Sequence, residues 1–243
     1  DAMKDQVMHM TWRFDGNVVM ACDSVDDVSE GGNVTLCIDI GDAVDTPGST
    51  VIDGDAYTIM GNGSDIWNEA DGFRYVYTEV TGDFEAVVHQ LSTDLPKEWS
   101  KGGLHARQST DAGAQNAQAI VTGSGAGGSQ LTWRPAAGGA TDEFMGTAPG
   151  PWKDNECWIK LTRVGDEFHG YISEDGADWW DLLAAEVSMS DPVLVGLAVC
   201  GFGDVATATY DGFTVVSGNR TLYPLDVDGR GKAAVMWGEM KSR

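Results

Sequence analysis

The sequence predicts an all-β fold, an antiparallel β-sandwich of the jelly-roll kind, and three observations support it. Apolar and polar residues alternate along short segments such as 73–77 and 168–173, and this period of two is typical of half-buried strands. Thirty-two glycines supply many tight turns between such segments. No segment shows a convincing helical period. We therefore expect two antiparallel sheets packed face to face.

The first forty residues predict a strand-rich N-terminal extension. Two apolar segments, 7–14 and 17–22, flank Asp15-Gly16, and an Asp-Gly pair between extended segments is a hairpin signal. A third candidate strand spans 33–40. The expected domain division is residues 1–40 as the extension, 41–218 as the sandwich and 219–243 as a C-terminal tail packed on the sandwich.

The charge of the chain restricts its partners. The formal net charge is −23, and only fifteen residues are Lys or Arg. Binding to a phosphate backbone needs clustered basic residues, so nucleic acid is not expected as a partner. No apolar stretch approaches the ~18–20 residues of a membrane span. We expect a secreted or cell-surface protein with a solvated acidic surface.

Four cysteines allow three disulfide pairings, and their even number is compatible with an oxidising compartment. A bridge between Cys22 and Cys37 is preferred because it would close a short acidic loop. For Cys157 and Cys200 two interpretations stay open. They either bridge neighbouring strands or are buried free thiols that act as small apolar residues.

Several segments in a fixed order carry a family resemblance: Gly61-Asn62-Gly63-Ser64-Asp65-Ile66-Trp67, Thr81-Gly82-Asp83-Phe84, Trp158-Ile159-Lys160-Leu161-Thr162-Arg163 and Phe168-His169-Gly170-Tyr171-Ile172-Ser173. Over residues 41–216 the chain resembles bacterial extracellular modules grouped with concanavalin A-like lectins and glucanases, of the kind found beside secreted hydrolases. The resemblance implies a concanavalin A-like jelly roll, an extracellular setting and a glycan as ligand.

A hydrolase site of that family is not expected in this chain. The family's glucanases carry Glu-x-Asp-x-x-Glu on one strand, and the nearest match, Glu69-Ala70-Asp71, has Arg74 where the third acid would stand. Because turns favour Asp followed by Gly, these acids are interpreted as exposed turn residues.

A lyase site is the other catalytic hypothesis. Lyases on similar sandwiches use Tyr, His and Arg around a uronate carboxylate, so His105, Arg107, Gln118 and Tyr171 are the candidates. His105 and Arg107 are two residues apart on one predicted strand and therefore share a face. Arg107 could instead pair with a carboxylate between the sheets.

Aromatic side chains are the preferred functional candidates, since a sugar ring stacks on a flat apolar face while nearby polar groups bond its hydroxyls. Adjacent strand residues face opposite ways, so at least one of Trp179 and Trp180 should lie on an outer or edge surface. The alternative is that these indoles belong to the core. The expected ligand-binding residues are Trp99, His105, Arg107, Gln118, Trp133, Arg134 and Trp179.

A calcium site is expected at Asp53, Asp55 and Asp65, because Ca²⁺ prefers carboxylate oxygens. The histidines and cysteines show no zinc spacing.

The sequence thus predicts an extracellular, non-catalytic carbohydrate-binding module that recognises a polysaccharide or glycan. One alternative is a structural or self-assembling extracellular protein, whose N-terminal strands pair with a sheet edge of another copy. The second alternative is a polysaccharide lyase or glycoside hydrolase.

Overall fold

The structure, a computed structural model, describes residues 10–14, 17–22, 28–29, 34–123, 128–145, 156–218 and 220–222, and their side chains within 36–123, 128–144, 156–218 and at 221. Apart from one short 3-10 helix, Gly41–Asp45, the regular structure in these ranges is strand. No helix in the described ranges has the length and apolar character needed to cross a membrane.

The described residues form twenty strands: β1 (Met10–Phe14), β2 (Asn17–Cys22), β3 (Val28–Ser29), β4 (Val34–Ile40), β5 (Ser49–Asp53), β6 (Ala56–Gly61), β7 (Ile66–Trp67), β8 (Ala70–Asp71), β9 (Phe73–Val80), β10 (Phe84–Asp94), β11 (Lys101–Arg107), β12 (Asn116–Thr122), β13 (Ser129–Arg134), β14 (Asp142–Met145), β15 (Cys157–Val164), β16 (Glu167–Ser173), β17 (Trp179–Glu186), β18 (Val193–Cys200), β19 (Ala206–Ser217) and β20 (Arg220–Leu222).

Two antiparallel sheets form the predicted sandwich. Sheet I has the strand order β1-β2-β5-β6-β19-β10-β15-β16-β17, with β20 paired to β19. Sheet II has the order β14-β13-β12-β11-β18-β9-β4-β3, and β7 and β8 form a separate two-stranded ladder. The prediction of an all-β antiparallel sandwich is confirmed.

The main core lies between the two sheets and is formed by alternate side chains of each strand, those on its inner face. In β15, Ile159 and Leu161 are fully buried, whereas Trp158 and Lys160 are half-buried on the outer face of sheet I. The inner faces of both sheets contribute to one cluster of buried apolar residues. The period of two that predicted the strands therefore also marks which face of each strand meets the other sheet.

Strand β18 shows that the outer face of sheet II is buried as well. All eight of its residues are buried, which fits its central place between β11 and β9. Val195 and Leu197 belong to the main core, whereas Leu194 and Ala198 belong to a second cluster with Tyr75. Both faces of this sheet therefore exclude solvent around β18.

The strands of the predicted N-terminal extension pair with strands of both sheets. Strand β2 pairs with β5 in sheet I, and β4 pairs with β9 in sheet II. The sandwich thus begins before residue 41, because β4 has the apolar alternation of an inner sheet strand. In the predicted tail, 220–222 form β20, and the other residues of 219–243 lie outside the described ranges.

The cysteines are only partly as predicted. Cys157 and Cys200 are free thiols, so the bridge considered between them is wrong. Cys157 lies in sheet I within the main core, whereas Cys200 lies in sheet II within the second cluster. Cys37 is disulfide-bonded, and its pairing with Cys22 stays a prediction because the side chain of Cys22 lies outside the described ranges.

Candidate functional site

A row of polar side chains crosses the outer face of sheet II from β11 to β14. In the strand register, His105 faces Gln118, Gln118 faces Thr132, and Thr132 faces Glu143. At ~4.8 Å between strands, the row spans about 14 Å. His105, Gln118 and Thr132 are fully buried, whereas Glu143 is exposed on the edge strand. We call these four residues and the adjacent Gln130 the polar row.

His105 is a neutral acceptor at the buried end of the polar row. Arg107 can only donate, so its Nη1, 3.4 Å away, donates to His105 Nε2. The Nδ1 of His105 then donates to Gln118 Oε1 at 3.2 Å. Burial and the neighbouring Arg107 hold the pKa of His105 well below its usual value. The ring is therefore uncharged, and its one acceptor nitrogen is already in use.

Two polar atoms in the middle of the polar row have no hydrogen-bond partner in the described part of the chain. They are Gln118 Nε2 and Thr132 Oγ1, which belong to directly opposed residues of β12 and β13. A buried polar group without a partner costs about 1–3 kcal/mol. At the exposed end of the polar row, on the edge strand β14, Gln130 Nε2 donates to Glu143 Oε2 at 3.2 Å. The row thus offers an unused amide donor and an unused hydroxyl where solvent is excluded.

A buried ion cluster of Asp71, Arg107 and Arg134 lies beside the row, because Arg107 and Arg134 project from the same face of sheet II. Arg134 Nη1 donates to Asp71 Oδ2 at 2.8 Å, and Arg107 Nη1 donates to the same oxygen at 3.2 Å. Asn116 Nδ2 also donates to Asp71 Oδ2, at 3.1 Å. Asp71 is 3% exposed, so the interpretation of this acid as an exposed turn residue is wrong. It lies in β8, where its single carboxylate bonds two buried guanidinium groups and leaves the cluster with one net positive charge.

Arg107 and Arg134 were expected to bind ligand, and the structure shows them bonded within the chain. Arg107 also donates to the backbone oxygens of Ser109 and Asp111. Arg134 also donates to the Thr141 hydroxyl and to backbone oxygens of residues 67, 68, 112 and 114. Their guanidinium groups therefore fix the loops at this end of sheet II.

The expected tryptophans do not share one groove. Trp133 lies on the inner face of sheet II and packs against the main core. Trp99 is half-buried in the turn before β11, with Lys101 Nζ 6.0 Å from its ring centroid. Trp179 lies on the outer face of sheet I, whereas its neighbour Trp180 packs against the core, as alternation along a strand requires.

The outer face of sheet I carries a separate aromatic cluster. Lys160 Nζ lies 4.7 Å from the ring centroid of Tyr171 and 4.2 Å from that of Trp179. His169 stacks on Tyr171 at 4.4 Å and bonds Asp181 through Nε2 at 2.6 Å. Because the two outer faces point away from each other, Tyr171 does not meet His105, and the Tyr-His-Arg group of the lyase hypothesis is not assembled.

The three acids proposed as a calcium site are not brought together. Asp53 and Asp55 are exposed at the β5–β6 turn, whereas Asp65 follows the far end of β6 and pairs with Lys101. The described side chains contain no group of three or more His, Cys, Asp or Glu that could hold a metal ion. Calcium binding by this protein stays a prediction.

Comparison with protein-family models finds no match, and comparison with curated proteins finds none either. Solved structures do match. A functionally unknown protein from Saccharomyces cerevisiae aligns with a TM-score of 0.53 at 17% identity, over 84% of this chain and 98% of that one. The GH43 protein BlXynB from Bacillus licheniformis aligns with a TM-score of 0.54 at 14% identity, over 88% of this chain.

A xylan β-1,4-xylosidase from Bacillus halodurans aligns with a TM-score of 0.50 at 15% identity, over 88% of this chain. The chain spans 41% of the length of each of these two bacterial proteins. At such identities the likeness shows the fold alone. The chain shares the antiparallel β-sandwich fold of these proteins, as the sequence predicts.

The sequence analysis missed three members of the polar row, Thr132, Gln130 and Glu143. A usable signal existed for two of them. Since Arg134 was already a candidate, alternation along β13 places Thr132 and Gln130 on its face. Glu143 had no such signal, because the pairing of the short strand β14 with β13 is a tertiary contact.

Proposed function

We propose that this protein is an extracellular, non-catalytic carbohydrate-binding module and that its glycan binds along the polar row. The observation that carries the proposal is the pair of buried, unpartnered groups on opposed residues, Gln118 Nε2 and Thr132 Oγ1. A sugar hydroxyl accepts from an amide and both donates to and accepts from another hydroxyl. Both atoms are buried in this structure, so one saccharide ring can satisfy them only after the part of the chain that covers them moves aside.

The fold supports a carbohydrate as the ligand class. Two of the similar structures are a GH43 protein and a xylan β-1,4-xylosidase, although the chain spans less than half of each. In the row itself, amide, hydroxyl, imidazole and carboxylate groups stand at strand spacing on one face. Such regularly spaced polar groups suit a ligand with many hydroxyls.

Two features argue for binding without catalysis. Glycoside hydrolysis needs two carboxyl groups across the scissile bond, and the polar row contains one, Glu143. A lyase needs a free base, and the Nε2 of His105 is occupied by Arg107. The row can orient a sugar, but it lacks the groups for either reaction.

The test is binding of the purified protein to plant, algal and bacterial polysaccharides by glycan array and affinity gel. We expect Thr132→Val and Gln118→Met each to weaken binding about 2- to 10-fold, the value of one or two neutral hydrogen bonds. Thr214→Val on the outer face of sheet I is the matched control and should bind as the unmodified protein does. No binding to any glycan, or equal losses in the control, would overturn the proposal.

A self-assembling extracellular protein is the second candidate, favoured by the edge strands β1 and β17, each of which has one side that pairs with no described strand. The expected result of light scattering would then be a defined oligomer that is lost when residues 1–33 are removed. A strictly monomeric protein across the concentration range would remove this candidate.

A further inference from the structure

We infer that the outer face of sheet I carries a second sugar-binding site, on which a neutral pyranose of a glycan chain stacks against Trp179. The site shares the ligand class of the proposed function and none of the residues of the polar row, which lies on the other sheet. Its side chains, Lys160, His169, Trp179 and Asp181, are half-buried or exposed. Binding here therefore needs no part of the chain to move aside.

One face of the Trp179 indole is in use within the chain, and the other is the proposed stacking surface. Lys160 Nζ lies 4.2 Å from the ring centroid and covers one face. In the described part of the chain, no other ring or cation contacts this indole. Trp179 lies on β17, the edge strand of sheet I, and no described strand pairs with its outer side. The second ring face can therefore receive the apolar face of a pyranose.

Lys160 supplies hydrogen-bond donors next to that ring. Its ammonium group lies between two rings, 4.7 Å from the centroid of Tyr171 and 4.2 Å from that of Trp179. It pairs with no carboxylate of the described residues, whereas Lys97 and Lys101 each pair with an aspartate. An ammonium group has three donors and no acceptor. Its donors are thus available for the oxygen atoms of a sugar.

Asp181 and His169 supply acceptors on the same face. Trp179 and Asp181 are two residues apart on β17, about 6.6 Å along the strand, and share its outer side. His169 Nε2 donates to Asp181 Oδ1 at 2.6 Å, and the backbone N–H of Leu183 donates to the same oxygen. Asp181 Oδ2 has no hydrogen-bond partner among the described residues. In the neutral imidazole, His169 Nδ1 is a second unused acceptor.

This pattern of donors and acceptors fits a neutral sugar. Each pyranose hydroxyl both donates and accepts, so hydroxyls of one chain can bond Lys160 and Asp181 together. A carboxylate or sulfate could bond Lys160, but it would meet like charge at Asp181 and in the net charge of −23. A cationic ligand is opposed by the Lys160 ammonium, which already lies over both rings. The geometry thus favours a neutral glycan over either kind of ion.

Titration calorimetry with oligosaccharides of β-1,4-linked glucose, mannose or xylose tests the site. We expect Trp179→Ala to weaken binding of the tightest probe at least about 10-fold, because the stacking surface is lost. Val164→Ala is the matched control, because Val164 is an exposed apolar residue of β15 on the same outer face, and it should bind as the unmodified protein does. Unchanged binding in Trp179→Ala, or an equal loss in the control, would overturn the inference.

Thr132→Val separates this site from the polar row. A loss of binding in Trp179→Ala with full binding in Thr132→Val would support the site on sheet I and overturn the proposed one on sheet II. The reverse result would overturn the inference and leave the proposed function intact. Losses in both variants would support both sites, and no binding of any probe would overturn both.

A further variant tests the groups around the ring without removing the ring itself. Lys160→Met keeps an apolar stem and removes the donors, so binding should weaken about 2- to 10-fold. Lys97→Met is the control, because Lys97 is exposed, lies outside the strands of sheet I and pairs with Asp204. Equal binding by both variants would overturn the role of Lys160. Tighter binding of polymannuronate than of mannan, lost in Trp179→Ala, would overturn the neutral ligand class.

Discussion

Arg134 bonds both carboxylate oxygens of Asp71, with Nη1 donating to Oδ2 at 2.8 Å and Nη2 donating to Oδ1. The pair connects β8 to β13, which are 63 residues apart in the chain, and both side chains are fully buried. The segment around β7 and β8 is thereby held at the end of sheet II where the polar row lies.

Asp71→Asn should destabilise the fold strongly. The amide leaves two buried guanidinium groups without a counter-charge, and such a loss costs about 3–5 kcal/mol. Urea unfolding followed by tryptophan fluorescence measures the change. Glu69→Gln, an exposed acid two residues earlier, is the control and should stay within about 0.5 kcal/mol of the unmodified protein. Similar small effects in both variants would contradict the ion cluster.

Stability should fall on mild acidification because of His105. Its pKa is lowered in the folded state, so below about pH 6.5 the unfolded chain binds a proton that the folded chain does not. The contribution is present above pH 6.5 and is lost as pH falls, by up to about 1.4 kcal/mol per pH unit. Unfolding at pH 7.5 and pH 5.5 measures it. His105→Gln should flatten this loss, whereas the control His89→Gln should keep it.

Thiol counting should separate the cysteines into two classes. Burial raises the pKa of Cys157 to about 12 and that of Cys200 to about 12, so neither is a thiolate at pH 8. We expect no reaction with Ellman's reagent in the native protein, two thiols in denaturant and four after reduction. Four thiols without a reductant would contradict the bridge between Cys22 and Cys37.

Thr132→Val should leave the ligand-free protein as stable or about 1 kcal/mol more stable. The hydroxyl it removes is buried and unpartnered, so its loss relieves a desolvation cost. Thr122→Val is the matched control on the same face, because the Thr122 hydroxyl donates to the Gly128 backbone oxygen at 3.0 Å. That variant should lose about 1 kcal/mol. Thermal unfolding of the two variants side by side decides the matter, and destabilisation of both would contradict an unused hydroxyl at Thr132.

Alternation in the sequence was sufficient to predict the strands and the shared face of His105 and Arg107. The period of two depends only on local backbone geometry, so it is visible in a single segment such as β11. The same pattern also placed Trp179 and Trp180 on opposite faces.

Contacts between segments that are far apart in the chain could not be predicted from the sequence. Asp71 resembles a turn acid because Gly72 follows it, and only the approach of Arg107 and Arg134 makes it a buried counter-ion. Likewise, Tyr171 and His105 have suitable chemistry but lie on different sheets. Which strands become neighbours is decided by the packing of the whole sandwich, so a site built across strands could be assembled only in part.

Several basic side chains are buried, and each of them contacts an aspartate: Arg74, Lys101, Arg107, Arg134 and Arg163. The exterior is correspondingly dominated by carboxylates that crowd one another. Sodium ions at physiological strength screen such surface repulsion beyond ~8 Å but hardly reach the interior pairs. Added sodium chloride should therefore stabilise the folded protein, and its melting temperature should rise with the salt concentration.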